Sequence, residues 1–462
     1  VSEVGEKSIK VLLVDSEEIS VEWDHGLAQA RSQISPSELG DVPKQAADVV
    51  KTGDLVRVQQ QKEHWQLVQI PAAEAALVSL DANNGAIRAL VGGFDFQHSK
   101  FNRATQAKRQ PGSSFKPFIY AAALKHGFTP ASLINDAPVV FEDKELEKSW
   151  RPENASGKFY GPTRMRKALY LSRNLVSIRL LHSISPNKAV RYLQNFGFNA
   201  ADMPKDLSLA LGSHALTPLD IASGYAVFAN GGYAVEPYFI ERIVDNADTV
   251  LFEANPATVC IDCADDDERE SEAHDLETVM ASGSSQLDNK NSKQPVLAPR
   301  VIDDRIAYIV DSMLKDVIVR GTGTKARVLE RPDLAGKTGT TNGPTDAWFS
   351  GYGGSLVTTV WLGFDQNQLL GKREYGGSAA LPMWVDYMRT ALEAEPVKER
   401  STPNGLVTIR IDPETGLRAG PLQRDAIFEI FRSENIPEQL SYEEESNPYF
   451  SADETTNLDE LF

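Results

Sequence analysis

Two periodicities alternate along this chain, and their order outlines the fold. Residues 9–14, 55–60 and 65–70 are short runs rich in β-branched and apolar side chains, with turn signals such as Thr52-Gly53-Asp54 between them. Short runs of this kind between turns predict strands. Residues 1–72 therefore read as a small β domain of five or so strands, enough for a small barrel. No convergent polar cluster appears in it, so a structural spacer is the simpler reading.

A second unit begins near residue 73. Runs 76–80 and 86–91 have strand character and are joined by Asp81-Ala82-Asn83-Asn84-Gly85, whose Asn and Gly residues tolerate positive φ and suit a hairpin. Pro111-Gly112 breaks the chain, and 115–124 is apolar and Ala-rich up to Gly127, the pattern of a buried helix. Further helices are expected over 164–171, 175–182, 187–196, 218–229 and 304–319. Three strand-like runs follow at 334–341, 347–351 and 357–364, with Gly-rich turns that are too short for anything but antiparallel neighbours. Strands from the two ends of the unit then belong to one sheet, with the helical middle packed on it: an α+β fold with long-range pairing. The spacing divides the chain into 1–72, 73–395 and 396–462. The last part holds a strand at 406–411 and an acidic tail. Residues 260–295, acid-rich and without an aromatic side chain, are expected to be a mobile insertion.

Composition narrows the function. The chain has 462 residues, 41% of them hydrophobic, and a formal net charge of −18. That balance argues against a nucleic-acid partner, which requires clustered Lys and Arg. No run of apolar residues is long enough to span a bilayer. The first residue is Val1, with no signal-peptide pattern before it, so the chain reads as a fragment or processed form of something longer, and any membrane anchor belongs to the missing part. Cys260 and Cys263 form a bare Cys-x-x-Cys with no further ligands for zinc. A small local disulfide or idle thiols is the expectation, and no metal or other cofactor is called for.

The chemistry lies in three short motifs: Ser113-Ser114-Phe115-Lys116, Ser172-Arg173-Asn174 and Lys337-Thr338-Gly339-Thr340. A serine hydroxyl needs a base within hydrogen-bond reach before it can attack. Lys116, three residues on, shares a helical face with Ser113, and burial or a second cation such as Lys337 frees its lone pair by lowering its pKa. Ser113 in a first helical turn also places free backbone N–H groups where an oxyanion would form. Ser172 can relay a proton between Lys116 and a leaving amine, and the Asn174 amide can bind a substrate carbonyl. Lys337, Thr338 and Thr340 can hold a carboxylate, with Gly339 between them on a strand whose edge can pair with substrate backbone.

Singly, these motifs prove little. Ser-x-x-Lys recurs at Ser185 and Ser312, and a serine at a helix start is commonly just a cap. Gly336-Lys337-Thr338 mimics the end of a phosphate loop, yet position 331, where that loop needs Gly, is Arg. No Gly-x-Ser-x-Gly elbow and no His-Glu-x-x-His zinc motif exists. The weight rests on the three motifs occurring together, in this order, at a helix start, a helix junction and a strand.

In that combination the chain closely resembles the class A penicillin-binding proteins of the proteobacterial bifunctional type. The likeness extends to Ala76-Leu77-Val78-Ser79-Leu80, Lys100-Phe101-Asn102-Arg103-Ala104, Ala210-Leu211-Gly212-Ser213, Phe228-Ala229-Asn230-Gly231-Gly232, Gly321-Thr322-Gly323 and Asp346-Ala347-Trp348-Phe349-Ser350-Gly351-Tyr352. The resemblance implies a penicillin-binding-protein/β-lactamase-like transpeptidase domain, an antiparallel sheet flanked by helices, preceded by an OB-like module. It implies a D,D-transpeptidase in which Ser113 attacks the D-Ala-D-Ala bond of a peptidoglycan stem peptide and an amine of a neighbouring stem takes the acyl group, with meso-diaminopimelate as the implied third residue. β-Lactams would acylate Ser113. It further implies an anchor and a glycosyltransferase domain outside these residues, the periplasmic face of the inner membrane as location, and an outer-membrane lipoprotein activator acting on the OB-like domain. Two other readings compete: a β-lactamase or simple carboxypeptidase, and a wall-sensing scaffold. Arg173 stands where class A β-lactamases carry Asp, and the chain lacks the Leu-Asn of their hydrolytic loop, so fast deacylation is not expected.

Overall fold

The structure, a computed structural model, describes residues 1–35, 38–143, 148–260 and 296–439. Its centre is one five-stranded antiparallel sheet. In chain order the strands are β1 (Glu74–Asp81), β2 (Ile87–Val91), β3 (Ala335–Thr340), β4 (Asp346–Gly353) and β5 (Leu356–Gly363). In space they run β3-β4-β5-β1-β2, so the two ends of the unit pair at β5–β1, from Leu356 opposite Asp81 to Gly363 opposite Glu74. The buried hydroxyls of Thr358 and Ser79 hydrogen-bond at 2.9 Å across that seam.

Among the described residues seven α-helices position the rest: α1 (Lys116–Lys125), α2 (Met165–Tyr170), α3 (Asn174–Ile184), α4 (Pro186–Leu193), α5 (Pro218–Ala229), α6 (Asp304–Arg320) and α7 (Leu381–Ala391). Successive strand residues point to opposite faces, and the core divides accordingly. Val357, Trp361 and Trp348 join α1, α3, α5 and α6 in the main core, whereas Leu356, Val360 and Phe349 pack against Leu381, Trp384 and Met388 of α7. Both faces of the sheet are thus covered. Every residue of α1 except Lys125 is buried, as an Ala-rich helix without a polar face requires. Helix α5 opens on a capping box between Thr217 and Asp220 with Pro218 just inside it, so its start was legible.

Several expectations need adjustment. The helix expected over 187–196 ends at Leu193, continues as a 3-10 turn and stops at Gly197, whose φ is +84°. Helix α7 and the strand Ile427–Arg432 carry no signal noted in the sequence; the latter pairs with Leu406–Ile411 in a C-terminal hairpin. The N-terminal unit has its own core of Ile9, Val11, Ile19, Val21, Leu27, Ala46 and Val50. Among the described residues its strands form a three-stranded sheet and two hairpins rather than one continuous barrel ladder. Most of the acidic insertion expected at 260–295 and most of the tail lie outside the described residues. Cys260 is held in a disulfide, and Cys263 lies outside them. Among the described residues no helix is long and apolar enough to cross a membrane.

Candidate active site

Ser113 stands in one turn of 3-10 helix, Gly112–Phe115, that runs directly into α1. Gly112 has φ +54°, and a Cβ there would lie 2.5 Å from the carbonyl oxygen of Thr340. Only glycine lets this turn approach β3 so closely. The turn is tied down from two sides: Ser114 Oγ donates to the Lys337 carbonyl at 3.4 Å, and Tyr225 Oη on α5 donates to the Ser114 carbonyl at 2.7 Å. β3 is an edge strand of the sheet, the position from which a substrate backbone could be added.

The second motif closes a helix. α2 ends in a pair of bonds from Ser172 N to Leu169 O (3.0 Å) and from Arg173 N to Ala168 O (2.8 Å), with Ser172 at φ +58°. This is the Schellman arrangement, in which the left-handed position is ordinarily glycine. A serine there costs on the order of 1 kcal/mol, and such strain clusters at functional sites. Its effect is to turn both the hydroxyl and the carbonyl of Ser172 toward α1.

The three motifs meet at two buried amines. Lys116 and Lys337 are both fully buried. Lys116 Nζ donates to Asn174 Oδ1 (2.7 Å) and Ser172 O (2.8 Å) and lies 3.4 Å from Ser172 Oγ. Lys337 Nζ donates to Ser172 Oγ (2.9 Å) and Thr338 O (2.9 Å), with Thr338 Oγ1 at 3.4 Å. Ser172 Oγ therefore bridges the two. Burial, then the charge of Lys337, then that of Arg173 push the Lys116 pKa well below its ordinary value, with Asp136 pulling the other way. Burial pushes Lys337 down to about 7.

Ser113, Ser172, Asn174, Thr338 and Thr340 line one cavity of about 910 Å³. Lys116 and Lys337 sit behind that wall. Lys337 is thus buried behind the cavity wall with its amine turned to Ser172, and Thr338 and Thr340 are the members of its motif that line the cavity. Ser113 Oγ, half-buried, makes no side-chain hydrogen bond among the described residues, so the direct Ser113–Lys116 bond expected from the spacing is not formed; the Lys116 amine is turned to Ser172 and Asn174. Among the described residues Arg173 and Lys325 are the charged ones of the wall, and no described Asp or Glu lines it, in a chain of net charge −18. Two cations on a wall whose described residues include no acid favour an anionic ligand.

Three residues at this site escaped the motif reading. Thr322 Oγ1 lies 2.6 Å from Thr338 Oγ1. Asn154 holds the start of α3, and Asp136 lies buried behind it. Only Gly321-Thr322-Gly323 carried a sequence signal, as part of the resemblance.

Residues 75–383 match the family model described as the penicillin-binding protein transpeptidase domain, and residues 1–73 match the penicillin-binding protein OB-like domain. Penicillin-binding protein 1A of Pseudomonas aeruginosa is 49% identical over 452 residues, 96% of this chain and 55% of that protein. The Escherichia coli protein of the same name is 38% identical, over 93% of this chain and 55% of its own length. The chain thus spans little more than half of these relatives. The crystal structure of penicillin-binding protein 1A from Haemophilus influenzae superimposes with a TM-score of 0.81 at 37% identity, over 95% of this chain and 63% of the other. The Mycobacterium tuberculosis protein PonA1 in complex with penicillin V gives 0.56 at 25% identity, over 73% and 82%.

Proposed function

The chain belongs to the penicillin-binding protein transpeptidase family, and from that membership and the site's geometry we propose that it is a serine D,D-transpeptidase of peptidoglycan. The observation that supports this most is the hydrogen bonding of Lys116. Its amine, fully buried, donates to two carbonyl oxygens, which can only accept. A neutral amine has two N–H bonds, so both are used and the lone pair is left for an incoming proton.

The steps follow from that. A stem peptide enters the cavity with its terminal carboxylate near Thr338 and Thr340, whose hydroxyls donate to it. The positive potential of Lys337, Arg173 and Lys325 lies behind them. A small rotation brings Ser113 Oγ to the Lys116 lone pair, which takes its proton as the oxygen attacks the carbonyl carbon of the penultimate D-Ala. The resulting oxyanion faces backbone N–H groups at the Gly112–Phe115 turn. As the intermediate collapses, the C–N bond breaks, and the leaving D-Ala amine receives a proton from Ser172 Oγ, itself reprotonated by Lys116. An acceptor amine then attacks the Ser113 ester by the same steps in reverse. A β-lactam follows the first half only, because its ring amine stays attached to the acyl group and continues to cover the ester.

The finer assignments are part of the same reading: Ser113 as nucleophile, Lys116 as base, Ser172 as relay, and Asn174, Lys337, Thr338, Gly339 and Thr340 as the substrate-binding set. Carboxypeptidase activity arises when water replaces the acceptor amine. The periplasmic face of the inner membrane, with an outer-membrane lipoprotein acting on residues 1–73, is the setting we assign. Incubation with a fluorescent penicillin tests the proposal. One equivalent of stable label is expected, lost in Ser113→Ala, and mass spectrometry should map it to the peptide containing Ser113. Rapid loss of label would indicate a β-lactamase, and no label on a folded protein a scaffold.

A further inference from the structure

We infer that Asp136 and Asn154 are positioning residues that aim the Lys116 amine, an inference resting on the reading of Lys116 as base. Asp136 ends the strand Leu133–Asp136 and is fully buried. Its two carboxylate oxygens accept from the same atom, Asn154 Nδ2, at 2.8 and 3.0 Å. A carboxylate only accepts, so it decides which end of the Asn154 amide is the NH₂. The carbonyl end is thereby turned to the backbone N–H of Asn174, which it caps at 2.8 Å. That N–H opens α3, whose own N-cap, Arg173, provides no side-chain bond. Asn154 thus does from a neighbouring segment what a capping side chain would do locally.

The preceding residue completes the device. The Glu153 carbonyl accepts from Asn174 Nδ2 at 2.8 Å, which fixes the second amide in turn. Its Oδ1 is then the end presented to Lys116 Nζ, at 2.7 Å. From Asp136 to Lys116 each acceptor dictates the orientation of the next group, and the chain ends on the one nitrogen whose lone pair matters. A purely structural Asp–Asn pair would satisfy itself and stop. This pair ends at the cavity, whose wall includes both Asn154 and Asn174.

Charge gives the pair a second effect. Lys116 is faced by Lys337 from β3, Arg173 from the turn between α2 and α3, and Asp136 from its strand; Tyr120, four residues on along α1, is bonded to Ser177 at 3.3 Å. Arg173 lies 3.9 Å from Asp136 and stacks 3.3 Å above the Tyr160 ring. Asp136 is the carboxylate that opposes the two cations. Without it Lys116 loses its proton more readily.

The experiment is the rate of acylation by fluorescent penicillin as a function of pH, for the wild type, Asp136→Asn and Asn154→Ala, with Ser113→Ala as control and thermal melting as the check on folding. In Asp136→Asn the amide can still accept from Asn154, and the acid limb of the profile should move to lower pH. A structural role alone would not move it. In Asn154→Ala the rate should fall about 10- to 100-fold, the range typical of an outer partner that orients a functional group. An acid limb that stays in place in folded Asp136→Asn overturns the inference. If that variant does not fold, Asn154→Ala decides: a wild-type rate overturns, and the expected fall on a folded protein supports. Label surviving in Ser113→Ala would instead overturn the reading on which the inference rests.

Discussion

Helix α2 is less than two turns long, and a buried cluster of cations sits at each end of it. At its start Arg166 is gripped by Glu429, with contacts of 2.6 to 2.9 Å, and by Asp316 at 3.2 Å, while Arg164 and Arg320 pair with the same two carboxylates. At its end lie Lys116 and Lys337, joined through Ser172 and held, among the described residues, by carbonyls and hydroxyls. Burial acts on both clusters, with opposite outcomes. Around Arg166 burial would lower the pKa, but Glu429 and Asp316 outweigh it and hold the guanidinium firmly charged. Around Lys116 no carboxylate of the described residues makes contact, and the pKa falls. Compensated arginine makes a fixed joint between α2, α6 and the C-terminal hairpin; a lysine without a carboxylate in contact has the lowered pKa that the proposed base requires. The first cluster anchors the helix whose last turn presents Ser172 to the second.

The comparison can be broken at either end. Lys116→Met keeps the volume and removes the lone pair. Penicillin acylation should fall about 10²- to 10⁴-fold, the range for loss of a general base, while urea denaturation shows a fold no less stable than the wild type. Glu429→Gln removes the carboxylate that Arg164 and Arg166 share, leaving Arg164 without its carboxylate partner and Arg166 with Asp316. Its expected signature is the reverse: a loss of about 3–5 kcal/mol in urea unfolding, with the folded fraction still taking up label far faster than Lys116→Met.

The third test uses pH. A lysine depressed from 10.5 to about 7 binds fewer protons folded than unfolded. Its burial therefore costs stability in full below about pH 7, and the cost disappears as pH rises toward 10.5. The total is on the order of 5 kcal/mol at 1.36 kcal/mol per pH unit. Measured against Lys337→Met, the wild type should gain stability steadily across that window. A constant difference would mean that Lys337 titrates normally.

The sequence revealed the skeleton of this site more readily than its wiring. The Ser113, Ser172 and Lys337 motifs were legible because each combines an unusual local pattern with a definite place: a glycine-broken helix start, a helix junction, a strand. The pairing of β1 with β5 was legible because short connections at both ends left antiparallel neighbours as the simple solution. What escaped was everything decided by tertiary contact. Asp136 and Asn154 have no periodicity and no motif, and their importance comes from which acceptor each meets. Glu429 is buried on a strand that its own charge argues against, and Arg166, 263 residues earlier, together with Arg164, explains it. Thr322 was visible only as part of a resemblance. That Lys337 points at Ser172 and not into the cavity could not be read from a strand pattern, since period two gives the face and not the direction of a long side chain.

The claim beneath all of this is that Lys116 is a neutral amine at working pH. Carbon-13 NMR of the lysine ε-carbons tests it directly, with the Lys116 resonance assigned by its disappearance in Lys116→Met. The account predicts that this resonance titrates well below 10.5, so that the amine is unprotonated where acylation is fast. A Lys116 signal still protonated near pH 10 would contradict it.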